Sequence, residues 1–597
     1  MAKKEQAVFP LGSYRSHVCG DVHTLENGTQ VTLAGWVDRL RQLGGVTFLD
    51  LMDRYGKVQC VLGAEGGLPQ VSRFDVVQVT GIIYEKRKKN PDDLGSLKEV
   101  QCAQIKVLSA TRPLPFSMDK ESTSEQTRLT YRYLDLRRPD MWRRFQLRSE
   151  INEFTRTYFT QKQFLEIETP ILYKSTPEGA RDFLVPSRLY PGQFYALPQS
   201  PQILKQLLMI SGMDRYMQIV RCFRDEDLRQ NRQPEFTQLD LECAFVTQKD
   251  VMDLVEGYIF SLFRQLGKTL SPTKLPRLSY AHAMEIYGCD RPDLRFEDLK
   301  YVSIKSLFQQ NSFQPFESLM NQPYVDVACL GIPASVLKEV PSRSLLGKWE
   351  QVVRDAGMKG LLWVLESGNE IRGSAKGYFT DEVMRQLHTL VGKQAVYLIL
   401  AGEVERFAAM DGLRKAVIES LQIRPSSEFE GCWVVDFPLF GKTEEGQLAA
   451  NHHPFTSPDP VHVHTLLAQD VTQDALLRVR AQAYDLVING EEIGGGSIRV
   501  HEPDLQRRMF EVLGLTSEEI QQKFGFMIEA LGYGAPPHGG IALGMDRLVA
   551  LLDGHEVIRD YIAFPKTQNA QCLMSGAPSP VSQDQLEELG LICVPRP

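Results

Sequence analysis

The chain has 597 residues, 43% hydrophobic and 24% charged, with 67 basic against 75 acidic side chains and a formal net charge of −8. That length exceeds what one hydrophobic core supports, so three to four globular domains are expected, and bulk charge is excluded as a means of holding nucleic acid while local fields stay open. Ten cysteines stand singly, the closest pairs being Cys222 with Cys243 and Cys572 with Cys593, which supports neither a disulfide framework nor a zinc site. The polar start Met1-Ala2-Lys3-Lys4-Glu5-Gln6 has no apolar signal region, and no apolar run reaches the length of a membrane span. A cytosolic, cytoplasmic protein with no membrane partner is expected.

Alternating apolar residues mark strands at 31–37, 46–51, 57–62, 75–82 and 105–108, separated by glycine-bearing turns. They predict a small closed β-barrel of OB-fold type within residues 1–112. On its strands Arg39, Phe48 and Gln59 supply a charge, a stacking ring and an amide, the chemistry that reads unstacked bases, although Phe48 also suits a barrel core. The basic runs Lys86-Arg87-Lys88-Lys89, Arg137-Arg138 and Arg143-Arg144 read by themselves as solvated faces. Residues 113–147 form a proline- and arginine-rich connector.

A helical pattern over 147–164 leads into Leu165-Glu166-Ile167-Glu168-Thr169-Pro170-Ile171-Leu172, read as a strand bearing a proline. Further on, an apolar strand delivers Cys222-Phe223-Arg224-Asp225-Glu226, a polar loop turns back, and Pro234-Glu235-Phe236-Thr237-Gln238 opens a second strand. Arg224 suits an α-phosphate, Glu226 an amine or a metal, and Phe236 offers a face to a base. Near the end, Gly539-Gly540-Ile541-Ala542-Leu543-Gly544-Met545-Asp546-Arg547-Leu548 puts glycines and then Arg547 at the head of an apolar helix. Gln202 and Lys205, three apart, share a helix face. Asp485 and Glu492 are hard oxygen ligands beside the run Gly494-Gly495-Gly496, where backbone can approach a ligand closely.

In this order and spacing the three segments resemble motifs 1, 2 and 3 of the class II aminoacyl-tRNA synthetases. The resemblance implies an α+β catalytic domain on an antiparallel sheet, divided between residues 148–292 and 425–566. Residues 293–424 have their own strands (324–330, 361–365, 395–400) and helices and read as an inserted α/β module, and 567–597 remain as a C-terminal extension. With Thr176-Pro177-Glu178-Gly179-Ala180, Ser200-Pro201-Gln202-Ile203-Leu204-Lys205 and Asn451-His452-His453-Pro454-Phe455, the chain is similar over nearly its whole length to the bacterial-type aspartyl-tRNA synthetases of subclass IIb. The insertion then corresponds to their GAD domain.

That likeness implies ATP as substrate with Mg²⁺, L-aspartate, tRNA(Asp), and a homodimer built on the motif 1 helix and strand. It implies catalytic roles for Arg224, Glu226 and Arg547. Arg224 would hold the α-phosphate and Arg547 the γ-phosphate, Phe236 and Arg547 would sandwich adenine, and Asp225, Glu226, Gln233, Glu492, Gly544, Met545 and Asp546 would complete the nucleotide site. Mg²⁺ would sit at Asp485 and Glu492. Lys205 and Arg499 would clamp the aspartate side chain, with Glu178 on its ammonium and Gln202, Arg224 and His452 around it. The barrel would read the anticodon through Arg39, Phe48, Gln59, Leu43 and Lys86, and an apolar Leu43 with a cationic Lys86 resembles members strict for the aspartate tRNA. A relaxed enzyme that also charges the asparagine tRNA is the first alternative. Lysine as substrate is disfavoured by the charges of Lys205 and Arg499. Asparagine is disfavoured because two cations buried against a neutral amide would be costly unless another anion balanced them. An inactive tRNA-binding relative is opposed by the intact site residues.

Overall fold

The computed structural model describes residues 12–63, 70–85, 98–119, 123–176, 179–229, 231–311, 313–322, 325–368, 370–375, 377–403, 405–443 and 445–594. They fall into two compact units, one within residues 1–146 with 572–577, the other within 147–571 with 578–597.

In the first unit the strands Gln30–Leu43, Val46–Asp53, Gly56–Leu62, Val76–Glu85 and Lys98–Ser109 close into a barrel, with the fifth lying between the third and fourth. Alternate residues, among them Leu33, Val37, Leu49, Leu51, Cys60, Val77 and Val79, fill its interior. The first strand runs on to Leu43, beyond the end that its apolar pattern indicated. After a bulge between Val37 and Arg39 the strand runs on from Arg39 to Leu43, paired with Val46 to Asp50, and only Leu40 of this stretch packs against the barrel core. In the connector, Asp135 is fully buried and gathers Arg128, Arg132 and Arg138. Arg137 instead lies 5.3 Å over the Trp36 ring, so the Arg137-Arg138 run is not a plain solvated face. The helix expected from residue 147 begins at Pro139, a residue tolerated in a first turn because its missing N–H would be unpaired there.

The second unit is organised by an eight-stranded sheet in the order Arg277–Ser279, Gly431–Val435, Ala483–Ile488, Glu491–Ile498, His538–Gly544, Glu235–Ala244, Arg215–Phe223, Leu165–Glu166. It is antiparallel through the middle, with a parallel pair at each edge. The helix Gln248–Gln265 packs its buried Val251, Val255, Tyr258 and Ile259 in the sheet's core with Leu239, Leu241, Ile541 and Leu543. The strand expected over 165–172 shrinks to Leu165–Glu166, because Ile167 makes one more bond to Met217 and Pro170 has no N–H to extend the ladder.

The insertion holds five strands, Tyr301–Ser303, Asp326–Ile332, Val396–Gly402, Leu362–Ser367 and Glu370–Gly373 in spatial order. All its pairings are antiparallel, so the expected α/β module is an α+β one. Apolar clusters cover both faces, around Trp349 and Leu413 on one and Phe308 and Leu387 on the other. The middle strands therefore read as unbroken apolar runs, and such runs carry no information about strand direction.

Candidate active site

The inner strands of the large sheet floor a cavity of about 550 Å³. At one end stand the residues of the hairpin between Arg215–Phe223 and Glu235–Ala244. Arg224 lies just past the first strand, its guanidinium 5.3 Å over the Phe236 ring and its Nε buried without a protein partner. Opposite, Arg547 on the helix Met545–Leu552 donates to the Glu492 carbonyl at 2.8 Å. Glu226 lines the cavity and pairs with Arg232 at 3.1 Å. Gln233 and Gly544 line it as well.

Three residues expected at the nucleotide have side chains engaged elsewhere. Asp225 does not line the cavity; its side chain is half exposed and its N–H bonds the Arg181 carbonyl at 3.1 Å. The Met545 side chain is fully buried in the apolar core, so only its main chain is left to meet a ligand. Asp546 touches the cavity wall, yet its carboxylate accepts from Arg148 at 2.5 Å and from the Thr237 N–H at 2.9 Å. Asp546 thus ties together the helix of motif 1, the second strand of motif 2 and the helix of motif 3.

At the other end Lys205 and Arg499 share the floor, both almost fully buried. Each is already paired. Lys205 Nζ bonds Asp240 and stands 3.1 Å from Glu242, and Arg499 donates to both Glu242 oxygens at 2.9 and 3.1 Å. Burial acts to raise the Glu242 carboxyl, but Arg499 and Lys205 outweigh it and bring it down to about 2. Asp240 is raised, burial outweighing Lys205. Space for Glu242 is made by Gly540, where an added Cβ would lie 2.1 Å from its Oε2. His453 also joins Arg499, which donates to its Nε2 at 2.7 Å, so the ring proton sits on Nδ1, 3.4 Å from the Thr456 hydroxyl. Burial and then Arg499 push the His453 imidazole well below its ordinary value, so it stays neutral. Gln202 is buried with its Nε2 unsatisfied. Glu178 lies outside the described residues.

Asp240, Glu242 and His453 were missed from sequence. The signal was available for the acids: they sit two apart on an apolar strand, so both point to one face.

Asp485 and Glu492 meet above Gly495. A Cβ built there would lie 2.6 Å from Asp485 Oδ1 and 3.6 Å from Glu492 Oε1. Asp485 Oδ1 is buried with no hydrogen-bond donor. Burial raises the Asp485 carboxyl to about 6, against the pull of His452, whose Nε2 stands 3.8 Å away. Burial acts to lower the His452 imidazole, but Asp485, Glu492 and Asp290 leave it raised. An orphaned carboxylate oxygen and a second carboxylate facing one cradle fit a hard divalent cation. Among the described residues no group of three or more His, Cys, Asp or Glu side chains forms a self-sufficient metal cage.

On the barrel, Arg39, Asp50 and Gln59 fall in one cross-strand row, and Arg41, Phe48 and Val61 in the next. Phe48 is half-buried and absent from the barrel core, which favours its surface role over the core alternative. Leu43 is 67% exposed at the tip of the hairpin, where Gly44 and Gly45 both take positive φ. Lys86 lies outside the described residues.

Residues 124–568 match the family of class II tRNA synthetases (D, K and N), and residues 31–108 match the OB-fold nucleic acid binding domain. An aspartate–tRNA ligase of Fervidobacterium nodosum is 43% identical over 97% of this chain and 99% of its own. The chain belongs to the aspartate–tRNA ligase family of class II synthetases. An aspartate–tRNA(Asp/Asn) ligase of Hydrogenobaculum is 44% identical over 94% of this chain and 97% of its own. Among solved structures, the asparaginyl-tRNA synthetase of Pyrococcus horikoshii with asparaginyl-adenylate superposes with a TM-score of 0.55 at 18% identity, covering 91% of this chain and 95% of that one. The last is a likeness of fold.

For this member of the ligase family the charge argument against asparagine fails. Asp240 and Glu242 are the balancing anions, so Lys205 and Arg499 form a neutral buried network before any ligand arrives. The same two acids weaken the charge argument against lysine.

Proposed function

We propose that this chain activates L-aspartate with ATP and transfers it to the 3′ end of tRNA(Asp). The observation that carries the reading is one cavity with a Lys205–Arg499 floor at one end and the Arg224–Phe236 pair at the other. Between them a small dicarboxylic amino acid would lie with its α-carboxylate toward the nucleotide. That carboxylate attacks the α-phosphorus in line and pyrophosphate leaves; a hydroxyl of the terminal tRNA ribose then attacks the aspartyl carbonyl and AMP leaves. No nucleophilic side chain is needed, because catalysis is positioning plus charge stabilisation. Arg224 holds the α-phosphate and, with Phe236 and Arg547, frames adenine; Arg547 reaches the γ-phosphate. Lys205 and Arg499 take the aspartate side chain, His452 closes beside it, and Glu178 and Gln202 serve its ammonium end. Asp485 and Glu492 hold Mg²⁺, which supplies charge neutralisation to the phosphates.

The barrel presents Arg39, Phe48 and Gln59 to the anticodon, and residues 293–424 act as the inserted domain. As a translation enzyme the chain works in the cytoplasm; among the described residues no helix is long and apolar enough to cross a membrane. We further infer a homodimer. Leu165, Ile171 and Leu172 at motif 1 are each about half exposed, and the bridge between Tyr173 and Ala196 brings the segment after Leu172 to the hairpin of Leu184, Phe194 and Tyr195, also exposed. An apolar surface of this kind calls for a partner. An active monomer in sedimentation at assay concentration would refute the dimer.

Aspartate-dependent ATP–pyrophosphate exchange tests the activity. Exchange driven by asparagine and not by aspartate would make the chain an asparaginyl enzyme, and exchange with neither would make it an inactive relative.

A further inference from the structure

Behind the nucleotide end of the cavity lies a second set of contacts in which no side chain but Gln233 touches the cavity itself. Glu235 and Phe236 are neighbours on one strand and so point to opposite faces: Phe236 into the cavity, Glu235 away from it. There Glu235 accepts from Lys566 Nζ at 2.9 Å on one oxygen and from Arg221 at 2.5 Å on the other. Burial acts to raise the Glu235 carboxyl, but Lys566 and Arg221 leave it lowered, as an intact triad requires. Two residues earlier, the Gln233 carboxamide accepts from the Lys566 N–H at 2.7 Å and donates to the Lys566 carbonyl at 3.0 Å. That two-point bond has the donor–acceptor pattern of a rung in a sheet. It fixes the orientation of an amide that is 5% exposed and removes one donor and one acceptor from use by a ligand. Lys566 thus grips the returning strand twice, by main chain at Gln233 and by side chain at Glu235, on either side of Pro234. On the opposite edge, Arg224 N–H to the Pro234 carbonyl at 2.9 Å closes the hairpin at the same level.

We propose that Lys566 is a positioning residue for the nucleotide: it holds the returning strand of the motif 2 hairpin at the height where Phe236 and Arg224 meet the base and the α-phosphate. This rests on the reading of the cavity as an ATP site. Lys566 itself does not line the cavity, so its effect passes through Gln233 and Glu235. The effect falls chiefly on the nucleotide, because the floor that clamps the aspartate side chain is held by a separate network from Lys205 to Arg499.

The test uses the full-length protein as Lys566→Met, Lys566→Arg, Glu235→Gln and the Lys566→Met/Glu235→Gln pair. In aspartate-dependent exchange, Lys566→Met is expected to raise the KM for ATP about tenfold, the size of one lost charge-assisted hydrogen bond, and to leave the aspartate KM within about twofold. Lys566→Arg restores the ion pair and most of the ATP affinity. Glu235→Gln reproduces the defect, and the double variant is no worse than either single one, as residues acting through one contact require. An unchanged ATP KM in both single variants overturns the proposal. So does a parallel rise of both KM values in Lys566→Met, which would mark a merely structural role. Calorimetry with AMP on wild type and Lys566→Met separates this from the reading beneath it. Wild type without exchange that still binds AMP more tightly than Lys566→Met removes the activation reading and keeps the positioning role, whereas equal AMP binding by the two removes the role.

Discussion

Arg499 donates to both oxygens of Glu242, at 2.9 and 3.1 Å, deep in the floor of the cavity. A residue expected to wait as a bare cation for its substrate is already half of a buried ion pair. The charge it can lend a ligand is set by how Glu242 and Asp240 are shared between it and Lys205.

Removing the acid is therefore more damaging to the fold than its distance from the reacting atoms suggests. Glu242→Gln leaves Arg499 facing an amide, and breaking a buried pair this way costs about 3–5 kcal/mol. The pH dependence adds a signature. An ordinary glutamate titrates at 4.5, whereas Glu242 is held down to about 2 in the folded protein. The unfolded chain therefore binds this proton first, and the stabilisation from Glu242 is full above about pH 4.5 and lost as pH falls toward 2. Asp240, raised in the fold by burial and in part by Glu242, contributes with the opposite sign in the wild type. Chemical denaturation between pH 5 and 3 should show a steeper loss in wild type than in Glu242→Gln. Equal slopes would mean that the pair is not formed.

Substrate selection is tested by Lys205→Met and Arg499→Leu. Each removes one cation from the floor, so aspartate activation should fall at least about a hundredfold, while ATP affinity, set at the Arg224–Phe236 end, stays within about threefold. Because both changes strand a buried acid, ATP binding should be followed by calorimetry alongside thermal unfolding. A near-normal aspartate KM in either variant would sink the assignment of the floor.

The cation cradle gives a third test with little change in volume. In Gly495→Ala the new methyl lies 2.6 Å from Asp485 Oδ1, in the space where a shared divalent ion would sit. The Mg²⁺ concentration for half-maximal exchange should rise about tenfold or more, with thermal stability in the absence of Mg²⁺ close to that of wild type. An unaltered Mg²⁺ titration would move the ion away from Asp485 and Glu492.

These residues divide by how plainly sequence announced them. Arg224, Phe236 and Arg547 were legible as cavity residues because each stands at the end of an apolar run, where a strand or helix brings it to the cavity. Asp240 and Glu242 were passed over: their spacing of two put both on one face of an apolar strand, but an acid there looks the same whether it faces solvent or a buried lysine. Asp546 and Met545 were read as ligands from their place in a motif, yet one is tied to Arg148 and Thr237 and the other lies in the core. The barrel's closure followed from its strand count. The insertion's all-antiparallel sheet did not, because apolar runs at Asp326–Ile332 and Val396–Gly402 fit either direction.

Anticodon reading should separate from chemistry in Phe48→Ala. Stacking on an aromatic ring is worth roughly 1–3 kcal/mol per base, so kcat/KM for tRNA should fall between about fivefold and a hundredfold. Pyrophosphate exchange should be unchanged, since Phe48 belongs to neither the barrel core nor the cavity. A parallel fall in exchange would return Phe48 to a structural role.

Which tRNAs are charged turns on a smaller feature. The aspartate and asparagine anticodons differ by C against U, whose pairing edges offer a donor in one case and an acceptor in the other. Discrimination is thus a matter of one or two side chains near the third base of the triplet. Leu43 is 67% exposed, held at the hairpin tip by the Gly44-Gly45 turn and paired across it with Val46, five residues from Phe48 along the chain. An apolar side chain there offers no hydrogen bond to either base, and the expectation that aspartate tRNA is preferred rests on the likeness of Leu43 and Lys86 to strict members. Replacing it with a side chain that both donates and accepts, Leu43→His, should raise aspartylation of purified asparagine tRNA relative to aspartate tRNA by about tenfold, the worth of one hydrogen bond, and leave exchange unchanged. Wild-type protein that charges both tRNAs at similar efficiency would show the relaxed specificity that the name of the Hydrogenobaculum relative carries, and would leave the aspartate assignment intact.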